Sequence, residues 1–85
     1  MQVSVEISLY PLDQNYIPPI QEFIDRLNTY TELKVVENTM STQVYGEYAK
    51  VLEILNSEMQ RTHHHTPKAA FVMKVLNGDL SPNMA

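Results

Sequence analysis

The sequence has no cysteine, no tryptophan and only two glycines. Each shortage excludes a chemistry. Without cysteine there is no disulfide, no thiolate metal site and no thiol nucleophile. Gly46 and Gly78 stand too far apart to build a glycine-rich phosphate loop. A helix that spans a bilayer needs about 20 apolar residues, and no run of that kind occurs. The opening "MQVSVEISLYP" lacks a basic leader followed by an apolar segment. A cytoplasmic protein with no membrane partner is therefore expected. Cations are sparse as well: Arg26, Lys34, Lys50, Arg61, Lys68 and Lys74 are scattered through a chain of net charge −4. Nucleic-acid binding needs a basic stripe against the phosphates, so nucleic acid is not an expected partner.

What is present reads as one globular unit: 85 residues, 44% hydrophobic and 19% charged. Residues 1–78 are read as a single domain and 79–85 as a flexible C-terminal tail. A chain this small buries only about 60–65% of its unfolded surface, so association would add needed stability.

Residues 2–10 alternate. Val3, Val5, Ile7 and Leu9 share one face, and Ser4, Glu6, Ser8 and Tyr10 share the other. That period of two predicts a strand with one face in the core, which Pro11 is expected to end. Pro18 and Pro19 favour a helix start, and Ile20, Phe23, Ile24 and Leu27 follow at helical spacing, giving a helix over about 18–30. "LKVVEN" (33–38) and "STQVYG" (41–46) predict two short strands in an antiparallel hairpin, with Asn38 and Thr39 in the turn. A second helix follows from Glu47 to about residue 62. Tyr48, Val51, Leu52, Leu55 and Met59 lie on its core face, and Glu47, Lys50, Glu53 and Glu58 lie away from it. "HHHTP" is read as a loop, because the residue before Pro67 is pushed out of helical geometry. Residues 68–76, "KAAFVMKVL", form a last strand that is apolar on both sides.

The order β-α-β-β-α-β predicts an α+β, ferredoxin-like sandwich. It has a four-stranded antiparallel sheet with two helices on one face, and right-handed crossovers place the first and third strands in its centre. The other face of the sheet is bare. It carries Ser4, Glu6, Ser8 and Tyr10, then Ser41, Gln43 and Tyr45 with Thr42 and Val44 on the reverse, then Ala70, Val72 and Lys74. The plain reading is that this face meets water or another subunit, and the doubly apolar last strand favours a homo-oligomer, dimer or tetramer. The functional reading is a seat for a small ring: Tyr10 and Tyr45 to stack, hydroxyls and the Gln43 amide to read polar edges.

Two blocks, "EISLYPL" in the first strand and "MSTQVYGEYAKVLEIL" in the third strand and second helix, carry a resemblance. With their spacing, over residues 3–76, the chain resembles the YkoF-type thiamine-binding family. That resemblance implies a ferredoxin-like fold assembled as dimers or tetramers. It also implies binding of thiamine or its hydroxymethylpyrimidine moiety without chemical change. The family's first block falls on Ser8, Leu9, Tyr10 and Pro11, and its second on Ser41, Thr42, Val44 and Gly46. The ligand-binding set is accordingly expected at Ser8, Tyr10, Ser41, Thr42, Gln43 and Tyr45. Glu6 or Glu47 would face the positive thiazolium. Gly46 is expected to serve geometry at the strand-to-helix junction.

Other features are weaker. His63, His64 and His65 are adjacent, and adjacent residues point in different directions, so no metal site is expected from them. No catalytic constellation assembles. Acylphosphatases share the fold class but depend on an arginine in a phosphate-cradling loop after the first strand, where this chain reads "YPLDQNY". The expected function is a non-catalytic small-molecule binding protein that needs no cofactor and self-associates through the sheet. The alternative is a structural or regulatory oligomer with no small-molecule ligand.

Overall fold

Val3, Val5 and Ile7 alternate with polar neighbours and are each at most 2% exposed, so the first strand supplies the floor of the core. In the computed structural model, which describes residues 1–12 and 14–82, the elements are β1 (Gln2–Pro11), α1 (Ile17–Leu27), β2 (Lys34–Glu37), β3 (Thr42–Glu47), α2 (Tyr48–His65) and β4 (Ala69–Asn77). The four strands form one antiparallel sheet in the order β2-β3-β1-β4. The expected βαββαβ ferredoxin-like architecture is the one observed, with β1 and β3 central. Phe23 and Leu27 of α1 and Val51, Ile54 and Leu55 of α2 close over Val3, Val5, Ile7 and Val44. Phe71 packs on Phe23 with ring centroids 5.0 Å apart.

Several boundaries differ from expectation, each for a physical reason. β1 continues through Pro11, which pairs with Ala69. The Tyr48 N–H donates to the Met1 carbonyl at 2.8 Å, and the Leu12 N–H donates to the Lys68 carbonyl at 3.0 Å. Given the registers, odd residues of β1 direct their main-chain groups toward β3 and even residues toward β4. Pro11 is odd, and β3 no longer runs beside it, so its missing N–H breaks no ladder bond. α1 stops at Leu27 rather than near residue 30. There the Asn28 side chain donates to the Ile24 carbonyl at 3.1 Å and Thr29 Oγ1 to the Arg26 carbonyl at 2.7 Å, competing with another turn of helix. The β2–β3 turn has Thr39 and Met40 at its corner, closed by the Asn38 N–H on the Ser41 carbonyl at 3.0 Å.

α2 runs on to His65, so the three histidines are helical and not a loop. Only Thr66, directly before Pro67, is forced into extended geometry (φ −120°, ψ 121°). His63 Nε2 lies 3.1 Å from the Ala69 carbonyl, and its ring meets Phe71 edge-on at 5.2 Å. Two α2 side chains are also placed otherwise than expected. Tyr48 is 39% exposed, and Glu58 is buried. The reason for Glu58 is its partners: Arg26 of α1 reaches across to it, as does Tyr30, and Arg26 also donates to the Thr62 hydroxyl one turn further along α2. A helical wheel of one helix contains no trace of those partners.

Gly46 is required by close approach. A Cβ there would stand 2.9 Å from Val51 Cγ2 and 3.1 Å from the Glu32 carbonyl oxygen, so the strand can pass under the start of α2 only without a side chain. Gly78, at φ 128°, turns the chain back after β4. The segment then crosses the bare face. Ser4 Oγ donates to the Gly78 carbonyl at 2.7 Å and accepts from the Leu80 N–H at 2.8 Å. Lys34 Nζ donates to the Pro82 carbonyl at 2.9 Å. Of the expected tail, residues 83–85 lie outside the described residues.

A candidate binding recess

The two central strands differ in length, and a recess follows from the difference. β1–β3 pairing ends at Ile7 opposite Thr42, whereas β1–β4 pairing continues to Pro11. Past Ile7, β1 therefore has a strand on one side only. The vacant side is enclosed by Ile20, Phe23 and Ile24 of α1 and by the Asn38–Met40 turn, leaving a cavity of about 120 Å³. Ser8, Tyr10, Ser41 and Thr42 line it.

Thr42 sits at the recess floor. The residue is 6% exposed, yet among the described residues its hydroxyl has no partner. Nor is any buried side-chain polar atom sealed off without a hydrogen bond. The Thr42 hydroxyl is therefore not sealed in the core, and Thr42 lines the recess. Tyr10 is 52% exposed at the rim, and Ser8 Oγ donates to the Met40 carbonyl at 3.4 Å, a long bond that ties the turn to β1. The lining contains no charged side chain among the described residues. Charge begins just outside. Ser41 Oγ donates to Glu6 Oε2 at 3.1 Å, and Lys74 Nζ holds Glu6 Oε1 at 3.1 Å. Hydrogen bonds from Lys74 and Ser41, with the Lys74 charge, keep the Glu6 carboxyl below the usual glutamate range.

Gln43 and Tyr45 lie elsewhere. They line a second hollow of about 250 Å³ on the bare face, with Ser4, Glu6, Lys74 and Leu80. Tyr45 Oη donates to Gln43 Oε1 at 2.8 Å, so the two polar ends serve one another. The Tyr45 ring is 7% exposed. Of the six expected site residues, four therefore meet in the recess and two face the other hollow, with Ser41 and Glu6 linking the two. Glu47 is committed to the far end of β3, where its Oε2 caps α2 by accepting from the Lys50 N–H at 2.8 Å. Sequence reasoning missed Ile20, Phe23, Ile24 and Met40 as recess walls. The available signal was the shortness of the β2–β3 turn, which brings Met40 beside β1.

Among the described residues no group of histidine, aspartate or glutamate has metal-holding geometry. None of their helices is long and apolar enough to cross a membrane.

Solved structures of other proteins share this fold, among them the following three. A Streptococcus pneumoniae protein aligns with TM-score 0.86 at 23% identity, covering 94% of this chain and 90% of its own. A hypothetical protein from Methanocaldococcus jannaschii gives TM-score 0.78 at 20% identity, covering 98% and 87%. A Thermotoga maritima protein provisionally named a thiamine biosynthesis/salvage protein gives TM-score 0.71 at 16% identity, covering 88% and 82%. At these identities the likeness is one of fold. No curated protein sequence matches the chain. The model of the YKOF-related family matches residues 2–83, and the chain belongs to that family.

Proposed function

We propose that this protein binds thiamine or its hydroxymethylpyrimidine moiety without chemical change, and that it self-associates through its sheet. The observation that carries the binding is the Thr42 hydroxyl, unpaired and not sealed in the core, on a residue that lines an uncharged recess with Ser8, Tyr10 and Ser41. Family membership and the thiamine-related name of the Thermotoga neighbour support this choice of ligand class. Size supplies the pose. A cavity of about 120 Å³ is well below the roughly 300 Å³ at which drug-sized ligand pockets begin. One substituted ring is enclosed, so the pyrimidine enters and the cationic thiazolium stays outside, on the side of Glu6. Calorimetry tests this. Micromolar heat is expected with both ligands and at least a tenfold weaker affinity in Thr42→Val. No heat with either ligand, in a protein shown to be folded, overturns the binding.

Self-association rests on β4. This edge strand exposes Val72 and Leu76 on the bare face and Met73 and Val75 on the other, and among the described residues no strand pairs its outer side. Even residues of β4 bond to β1, so Ala69, Phe71, Met73, Val75 and Asn77 point their main-chain groups outward. The occupant we favour is a second copy, antiparallel and centred on Met73. In that register Phe71 meets Val75, Lys74 meets Val72, and no like charges oppose. A dimer that gives no ligand heat is the result that favours the alternative, a structural or regulatory oligomer.

A further inference from the structure

We infer that the main chain of Leu9, rather than a side chain, reads the polar edge of the bound ring; the inference rests on the binding reading above and specifies how it discriminates. Odd residues of β1 turn their N–H and C=O toward β3. The residue that should pair with Leu9 in that register is Met40, which lies in the turn and forms no main-chain bond to it. Leu9 is therefore a rung of the ladder without its partner. Its donor and acceptor both face the recess that Leu9, Thr42 and Met40 line.

One N–H and one C=O of the same residue, side by side, define a ligand chemistry. They match a planar ring with an exocyclic amino group next to a ring nitrogen. The amino group donates to the Leu9 carbonyl, and the ring nitrogen accepts from the Leu9 N–H, just as a neighbouring strand would. Phe23, Ile20 and the aliphatic walls hold the flat faces, and the Thr42 hydroxyl serves a further ring substituent. The recess thus selects single-ring aminopyrimidines over rings that carry no amino group.

The test is amide NMR on the full chain. In the free protein the Leu9 N–H is expected to exchange with solvent quickly, while the Val5 and Ile7 N–H groups, inside the ladder, are protected. Hydroxymethylpyrimidine and cytosine are expected to shift the Leu9 amide and slow its exchange. The des-amino analogue of hydroxymethylpyrimidine is expected to bind at least tenfold more weakly. Leu9→Pro removes the donor at a position where, as at Pro11, no ladder bond is lost, and should weaken binding at least tenfold beyond Leu9→Ala. Calorimetric heat with an unmoved Leu9 amide, or equal binding of the des-amino analogue, overturns this inference and leaves the binding reading standing. Absence of heat with thiamine and hydroxymethylpyrimidine sinks that reading. Cytosine still reports on Leu9 in that case, and a silent amide there overturns the inference too.

Discussion

Arg26 and Glu58 join the two helices: Arg26 Nε donates to Glu58 Oε1 at 2.6 Å, and Arg26 Nη2 also reaches Thr62 Oγ1 at 2.6 Å. Tyr30 Oη donates to the other carboxylate oxygen at 2.6 Å. Removing Glu58 takes the carboxylate from a half-buried Arg26 and Tyr30, and Arg26 keeps only the Thr62 hydroxyl and the main-chain carbonyl of residue 58. Glu58→Ala is expected to cost about 3 kcal/mol of stability in urea unfolding. The double change Arg26→Met with Glu58→Leu should recover most of it, because an apolar pair of similar volume carries no desolvation cost. A double variant as unstable as the single one would show that the ion pair itself is needed.

The same carboxylate sets an acid limit. Burial pushes the Glu58 carboxyl up, but hydrogen bonds from Tyr30 and Arg26 and the nearby arginine charges outweigh it, and the group titrates below its ordinary value. A carboxylate held low in the folded state contributes stability above its unfolded pKa and loses it as pH falls through the folded one. Stability should therefore be flat on the neutral side and decline below the ordinary glutamate value of about 4.3. Glu6 and Asp79 act with the same sign but from the surface. Glu58→Gln should reduce the slope of midpoint against pH in that acid range, measured by urea titrations.

Gly46→Ala should be destabilising although the new side chain is a single methyl. The added carbon meets Val51 Cγ2 at 2.9 Å and a main-chain oxygen of Glu32 at 3.1 Å. Side chains can shift, but that carbonyl cannot shift cheaply. A loss of about 1–3 kcal/mol is expected, read as a lower melting temperature. A change within a few tenths would mean that the β3–α2 junction relaxes freely.

Position 73 offers a charge-swap experiment on self-association. If β4 pairs with its own copy about Met73, then Met73→Lys and Met73→Glu each place like charges opposite one another. Each variant alone should sediment as a monomer, and an equal mixture should dimerise. A dimer indifferent to all three conditions would place the interface on another surface.

Much of this architecture was legible from periodicity alone. Val3, Val5 and Ile7 announce a half-buried strand, and Phe23, Ile24 and Leu27 a helix, because burial of one face imposes a period on each element separately. What was not legible depends on neighbours distant in sequence. Pro11 looks like a terminator until one knows that its nitrogen faces the side β3 does not reach. Glu58 sits on the polar side of its helix and is buried by an arginine from another helix. Ser8, Tyr10, Ser41 and Thr42 were expected in one set with Gln43 and Tyr45, and the recess that gathers only the first four arises from the mismatch between strand ends. Strand lengths are decided by pairing, which no single segment encodes.

Met1 and Pro82 follow a simple arrangement. Met1 is tied beside Tyr48 by a main-chain bond, and Pro82 is held at Lys34 on β2. β1 runs away from that end and β4 runs back to it, so both attachment points lie at the pole of the molecule opposite Tyr10 and Thr42. A fluorophore or a biosensor surface linked at Gln2 or Pro82 would leave the opening accessible, and a protein immobilised there would present it outward to solution.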